Sequence, residues 1–444
     1  MNAESPAVAQ LLEFLRFPSI STIPENTDDV NACAEWLATS VQQSGFEVRL
    51  CPTRGNPVLI AKNRHRPDRR TVLIYGHYDV QPVDPLDQWI SPPFSPRVEN
   101  GVIFARGAAD NKGQIFAHIC GMAEALADTG ELPVNVIVLV EGEEEIGSPS
   151  LGEFLQEHRE ELRCDIVVIS DSGMVAPGVP TLSYGLRGIA MMEVKVSGPS
   201  TDLHSGLFGG IIDNPAAVLV RLLASLRDEN DRIAVEGFYD NVQPLAQWER
   251  DGWAQLPVSE ASIQALTQVP ALGGEAGFNF IERLWARPTA EINGIWGGFQ
   301  GTGSKTIIPR EASVKLSFRL VPHQLPAEVC SKVSAHLRKL APPTVKLEIV
   351  EGHEGEPYLT NPHSPMGRAA QRALSATFGR DPVFIREGAS IPIVNTLKRV
   401  LGAETLLLGL ALPDCRAHAP NENFPLENFF AGIRLNRALL EELA

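Results

Sequence analysis

The chain has 444 residues, 44% of them apolar, with 54 Asp and Glu against 38 Lys and Arg, for a net charge of −16. That length exceeds one ordinary core and predicts two domains of a soluble globular protein. A surface this acidic, with no basic cluster, excludes nucleic acid and anionic membrane as partners, and no apolar run reaches the roughly 18 residues of a membrane span.

The first helix is expected to open at Ser5-Pro6 and run through AVAQLLEFLRF, a cap residue followed by proline in the first turn. The start, MNAESPAVAQ, has no charged segment followed by an apolar run and does not read as a signal peptide. A second amphipathic helix covers about 28–44 and stops at Gly45. TVLIYG (71–76), VNVIVLV (134–140) and DIVVIS (165–170) are β-branched and apolar on both faces, as strands buried in a parallel sheet are. KGQIFAHICGMAEALAD (112–128) between them has helical periodicity, so the first part reads as a helix-covered α/β sheet.

From about Gly188 the pattern alternates. MMEVKVSG (191–198) and EASVKLSFRLV (311–321) read as strands with one wet face: Val314, Leu316 and Phe318 point one way, Lys315, Ser317 and Arg319 the other. Helical patterns at about 213–227 and 326–340 and a further strand at 344–350 complete a small α+β unit. After Pro357 come a helix (about 364–378), the apolar strand TLLLGL (405–410) and a final helix (426–443). The expected division is one domain from 1–187 and 357–444, interrupted by a second at 188–356. The six cysteines, Cys33, Cys51, Cys120, Cys164, Cys330 and Cys415, have no paired spacing, which predicts reduced thiols and a cytoplasmic protein.

Polar clusters follow the strand-like runs. His77 and Asp79 follow TVLIYG; Glu141, Glu143, Glu144 and Glu145 follow VNVIVLV; Asp171 follows DIVVIS; His418 lies a few residues past TLLLGL. Ligands of open α/β sheets bind at the carboxyl ends of the strands, so these clusters are expected to converge, with Asp110 joining them from just before a helix. Two imidazoles and several carboxylates are the donors that zinc takes in open catalytic sites, and a bridging carboxylate would hold two metals about 3.5–4 Å apart. Asp79 is placed to hold the second ring nitrogen of His77. A further carboxylate beside the ligands is needed to move the proton between water and leaving amine. Taken singly, each cluster reads equally as a helix cap, an acidic helix start or a solvated pair; their common position at strand ends favours a metal centre.

GHYDVQP (76–82), RGAADNKG (106–113), EGEEEIGS (141–148), ISD (169–171), LHSGLFGG (203–210) and RAHAPNEN (416–423) resemble, in order, the motifs of a dinuclear-metal peptidase family. That family contains carnosinases, cytosolic nonspecific dipeptidases, acetylornithine deacetylase, succinyl-diaminopimelate desuccinylase and glutamate carboxypeptidase. YGLRG (184–188), KTIIPR and SFRLVP (305–322) are most similar to the dipeptidase branch. The resemblance implies that His77, Asp110 and Asp171 hold one divalent ion and Asp110, Glu145 and His418 the other. It makes Asp110 the bridge, with a cis peptide bond after it, and zinc the foremost metal, manganese and cobalt being suited too. It implies Glu144 as general base, with Glu143 the alternative under a one-residue slip, and Asp79 as the residue orienting His77. It also implies that His204 reaches the partner's site in a homodimer and stabilises the oxyanion, that Thr306 and Arg319 hold the substrate carboxylate, and that Ser390 contacts the substrate backbone. The expected reaction is hydrolysis of the amide bond of a dipeptide or other small acylated amino acid.

Departures from the family pattern stand out. Asn111 occupies a place where an acid often follows the bridging aspartate, and Cys415 lies three residues before His418. His353, in EGHEGEP, is placed near a hinge and its role stays open; His65, His118, His158, His323, His336 and His363 match no motif. Competing readings are an N-acyl amino acid deacylase or carboxypeptidase with the same site, and a non-catalytic peptide-binding relative. GGFQGTGSKT (297–306) is not a phosphate loop, because Ser304 separates Gly303 from Lys305. No G-x-S-x-G elbow is present.

Overall fold

The computed structural model describes residues 5–388 and 391–444. Its first helix, Pro6–Phe14, is capped as expected: the Ser5 hydroxyl accepts from Val8 N at 3.2 Å. The helix buries Val8, Leu11 and Phe14, and Phe14 stacks on Trp36 of the second helix, Thr27–Gln43.

The large sheet has nine strands. In order across it lie Glu47–Cys51, Val58–Lys62, Asn135–Glu141, Thr71–His77, Ile166–Ile169, Glu404–Leu407, Thr181–Leu186 and Tyr358–Leu359, with Val383–Glu387 also pairing Thr181–Leu186. The four strands from Asn135–Glu141 to Glu404–Leu407 run parallel, and their neighbours on either side are antiparallel. Continuous Val, Ile and Leu runs suit strands covered on both faces, and that is how these are buried. Helices Lys112–Thr129, Pro365–Phe378 and Leu426–Glu442 pack one face. Leu151–Glu157 and Pro392–Leu401 pack the other. Each fully buried Val, Leu or Ile contributes about 1.5–3 kcal/mol relative to exposure. The strand Glu404–Leu407 comes from the last hundred residues yet pairs with Ile166–Ile169, so the chain leaves this sheet and returns.

A second, fully antiparallel sheet of four strands has the order Thr289–Gly297, Glu311–Leu320, Gly188–Ser197, Lys346–Gly355. Helices Pro215–Ala224 and Pro326–Leu340 cover one face of it. Val314, Leu316 and Phe318 are buried on that face, and Lys315 is exposed on the other. Ser317 is buried although it faces the wet side, because its short side chain sits on an inner strand between Glu291 and Met191.

Two features were not expected. Thr289–Gly297 forms the outer strand of the second sheet, its alternation broken by a bulge between Ile292 and Gly294. Short helices Gln247–Trp253, Glu260–Thr267 and Phe280–Ala286 fill the segment before it; seven or eight residues are too few for a periodic signal. Trp253, Leu256, Ile281 and Trp285 pack with Tyr184 and Ile385 of the large sheet. The Tyr184 hydroxyl donates to Glu249 at 2.6 Å, and Arg386 pairs with the same carboxylate. None of the six cysteines is in a disulfide, and among the described residues no helix is long and apolar enough to cross a membrane.

Candidate active site

His77 and Glu141 are the last residues of neighbouring parallel strands, and Asp171 lies two residues beyond the end of the next. Asp110 precedes Asn111, the residue capping helix Lys112–Thr129. His77 Nε2 is 3.2 Å from Asp110 Oδ1 and 3.8 Å from Asp171 Oδ1. His418 Nε2 is 2.9 Å from Asp110 Oδ2 and 3.4 Å from Glu145 Oε2. Asp110 thus stands between the two histidines, one oxygen toward each. Potential donor atoms of His77, Asp110 and Glu145 lie within 4.8 Å of one another, and the Asp110–Asn111 peptide bond is cis.

His77 is fully buried, yet its Nε2 makes no hydrogen bond; at 3.2 Å the Asp110 oxygen is close but poorly aligned. A buried imidazole nitrogen facing two carboxylates without a hydrogen bond is the arrangement of a metal ligand. The donor set, imidazole nitrogen and carboxylate oxygen, fits a divalent cation such as zinc.

The supporting contacts are dense. His77 Nδ1 lies 3.1 Å from the Asp79 backbone carbonyl and 3.3 Å from its Oδ1. The same Asp79 carboxylate accepts from Glu144 N (3.2 Å), Glu145 N (3.1 Å) and the Ser21 hydroxyl (2.7 Å). It therefore sets both the imidazole and the turn that carries the two glutamates. Gln81 Nε2 donates to Glu145 Oε2 at 2.8 Å, and Asn111 Nδ2 donates to Asp171 Oδ1 at 3.0 Å and Ser170 O at 2.6 Å. Glu422, fully buried, accepts from Gly107 N, Ala109 N and Asp110 N at 2.9–3.0 Å and from Arg106 at 2.8 Å. Sequence reasoning gave no role to Gln81, Arg106 or Glu422; only their positions within the quoted motifs hinted at one.

The protein's own charges do not balance here. Burial, then repulsion from Asp110, pushes Glu145 up to about 8. Glu144 is raised well above the usual carboxylate range by burial, with Asp171, Asp110 and Glu145 adding to it against the pull of His77. Burial opposes a charge on His77, but Asp110, Asp171 and Asp79 overcome it and raise its pKa. The Asp110 hydrogen bond lifts His418 to about 9. Carboxylates crowded out of water call for added positive charge, which divalent cations supply.

Glu143, the alternative base, is occupied elsewhere: its oxygens accept from Asn56 N and Ser150 N, both at 3.2 Å. A cavity of about 430 Å³ adjoins Asp110 and Asp171, walled by Met174, Val258, Ile263, Trp285 and Leu412, with Glu387 and Cys415 also on its lining. His204 and Thr306 are neighbours on the second sheet's side, where Ser205 N donates to Thr306 O at 3.0 Å, and they line a separate cavity of about 630 Å³. Arg319 lines a third, of about 600 Å³, together with Arg187. The structure does not bring His204 and Thr306 to the metal-side residues: neither lines the cavity at Asp110. Ser390 lies outside the described residues. His353, exposed on Lys346–Gly355, has its Cε1 3.9 Å from where a side chain on Gly147 would begin, which places it beside the glutamate turn.

A helix-covered, mostly parallel sheet with histidines and carboxylates gathered at its strand ends defines a metal-dependent hydrolase. Residues 73–442 match the family described as Peptidase family M20/M25/M40, and the chain belongs to that family. It is 33% identical over 393 residues to the Beta-Ala-His dipeptidase of Homo sapiens, covering 87% of this chain and 78% of that protein. It is 30% identical over 455 residues to the Cys-Gly metallodipeptidase DUG1 of Saccharomyces cerevisiae, covering 98% and 94%. Among solved structures, the M20 family metallo-carboxypeptidase Sso-CP2 from Sulfolobus solfataricus superposes with a TM-score of 0.87 at 32% identity, over 99% of both chains. The chain is thus a hydrolytic enzyme of the dipeptidase branch of this metallopeptidase family.

Proposed function

We propose that this enzyme hydrolyses the amide bond of dipeptides, using two divalent ions held by His77, Asp110 and Asp171 and by Asp110, Glu145 and His418. The observation that carries the reading is Asp110 between the two imidazoles, beside a buried His77 Nε2 that has no hydrogen bond. Zinc is the foremost choice, with manganese or cobalt as alternatives, because all accept this donor set. Bound there, the ions supply Lewis acidity for the scissile carbonyl and acidify the attacking water. Glu144 takes the proton from the water and returns it to the leaving amine, as the carboxylate beside the ligands that is not itself one of them. Asp79 holds the His77 ring and the turn carrying Glu144 in register. Thr306 and Arg319 hold the substrate carboxylate, Thr306 coming with His204 from the neighbouring subunit because the two residues line separate cavities of one chain, and Ser390 holds the substrate backbone.

His204 and Thr306 lie on the inserted unit, residues 188–356, away from the lining of the metal-side cavity. This supports a homodimer in which His204 serves the neighbouring subunit's site, the two catalytic segments being 1–187 and 357–444. Exposed Leu207, Phe208, Ile211 and Ile212 beside His204, and Ile292, Ile295 and Trp296 on the outer strand, give that dimer an apolar surface to cover. A cytoplasmic location agrees with the unpaired cysteines.

The relatives named as dipeptidases support dipeptides as substrates, and the metallo-carboxypeptidase supports a second reading with the same site. Amino-acid release from dipeptides, longer peptides and N-acetyl or N-succinyl amino acids, with added Zn²⁺ or Mn²⁺, separates them. Dipeptides are expected to be turned over. Glu144→Ala is expected to lose about 10²–10⁴ in kcat while keeping its metal. Turnover of acylated amino acids or longer peptides alone would replace the dipeptidase reading. Full activity in Glu144→Ala would remove it as the base.

A further inference from the structure

The cavity of about 430 Å³ beside Asp110 and Asp171 is walled chiefly by apolar side chains, Met174, Val258, Ile263, Trp285, Ile385 and Leu412. Met174, Trp285 and Ile385 are buried, and Trp285 is held edge-on against Trp253 with ring centroids 5.3 Å apart. Val258, Ile263 and Leu412 are half-buried, so apolar surface on these walls still faces the open space. Val258, Ile263 and Trp285 come from the segment of short helices before Thr289–Gly297, outside the motifs that carry the metal-side residues. The metal chemistry alone does not call for an apolar wall there. An apolar group that displaces water from such a wall is bound favourably.

The charged groups of the lining have one sign. They are Asp110, Asp171 and Glu387, and among the described residues no Lys, Arg or His lines the cavity. Glu387 is not one of the proposed metal ligands; the Ser183 hydroxyl donates to its Oε1 at 2.8 Å. A dipeptide carries an ammonium at one end and a carboxylate at the other. The carboxylate end would meet acids here with no side-chain cation to offset them, whereas the ammonium end meets the opposite charge.

We propose that this cavity takes the N-terminal residue of a dipeptide and that the side chain of this residue is large and apolar, of the Leu or Phe kind. The ammonium lies on the side of the acids, and the side chain lies against Trp285, Val258 and Leu412. The proposal rests on the dipeptidase reading and adds a substrate class to it. The class is set by the walls and not by the metal-side residues.

The test compares Leu-Ala with Asn-Ala, whose N-terminal side chains are alike in size and branching, on the metal-loaded enzyme. The swapped pair, Ala-Leu and Ala-Asn, serves as the control. Leu-Ala is expected to be favoured over Asn-Ala by about 10–100-fold in kcat/KM, the selectivity that burying one apolar side chain gives. The swapped pair is expected to differ less. Val258→Phe, which fills the cavity, should lower the ratio of Leu-Ala to Gly-Ala turnover by about 10-fold or more. Such ratios cancel any partial loss of folded protein, and Leu412→Phe fills the same cavity from another wall should Val258→Phe not fold. A wild-type ratio near one, an equal preference in the swapped pair, or a Leu-Ala to Gly-Ala ratio unmoved by filling overturns the proposal. If no dipeptide is cleaved the dipeptidase reading falls, and calorimetric titration of the metal-loaded enzyme with leucine amide and asparagine amide then decides for the cavity alone. Tighter leucine amide binding that the filling variant weakens supports it, and equal affinities sink it.

Discussion

At the scale of single residues, the site is organised by side chains that satisfy more than one demand. Asp79 holds the His77 ring and accepts from two backbone amides of the glutamate turn. Asn111, where an acid is common in the family, turns its amide onto Asp171, so a neutral donor does what a second charge there would oppose. His118 matched no motif; it is buried behind Asp171, 2.7 Å from the Ser170 hydroxyl and 2.9 Å from Asn436. Burial lowers its pKa from 6.5 to about 4. As pH falls, the unfolded chain therefore takes up this proton before the folded one. The stability that His118 contributes is full above pH 6.5 and is lost progressively toward pH 4, by about 3 kcal/mol in all. Denaturant unfolding at a series of pH values should show wild type losing stability faster than His118→Gln across that window. Parallel curves would refute the assignment. None of this was legible in the sequence, because a histidine inside an apolar helix reads the same whether or not a polar partner waits on the neighbouring helix.

At the scale of elements, parallel strands do the positioning. Four of them end along one edge, so residues far apart in the chain arrive together, and short loops finish the placement. The loop before helix Lys112–Thr129 needs glycine at 113, where a side chain would begin 2.0 Å from Ala108 O. Glu422, from after the last strand of the sheet, ties that loop down through three amides and Arg106. Glu422→Gln leaves Arg106 buried without its counter-charge and should cost about 3–5 kcal/mol of stability. It should also weaken metal binding about 10–100-fold by freeing Asp110. Chemical denaturation and metal titration read the two effects separately; unchanged metal affinity would show that the loop does not depend on Glu422. The buried strands and long helices were evident from β-branched runs and 3.6-residue periodicity. The three short helices before Thr289–Gly297 were not, because their order comes from packing on Tyr184 and Ile385 rather than from their own pattern.

At the scale of the whole molecule, one chain carries its metal-side residues and its His204 in different places. If His204 serves the neighbouring subunit, His204→Ala should lose about 10²–10³ in kcat with metal content unchanged. Mixing that variant with Glu144→Ala gives heterodimers in which one of the two sites is intact. Subunit exchange should then restore about a quarter of wild-type activity from two inactive proteins. No recovery after verified exchange would place His204 in its own subunit's site. The sequence by itself determined the class of fold and the motif order, and it marked the polar clusters expected to converge, since strand-end placement and donor chemistry are local properties of short segments. It also carried the register of the glutamates as far as two alternatives. Only the tertiary structure decided that Glu143 is spent on Asn56 and Ser150, that Asp110 faces both imidazoles, and that Arg187 joins Arg319 in one cavity. Those are relations between side chains from distant parts of the chain, and no local pattern encodes which of them will meet.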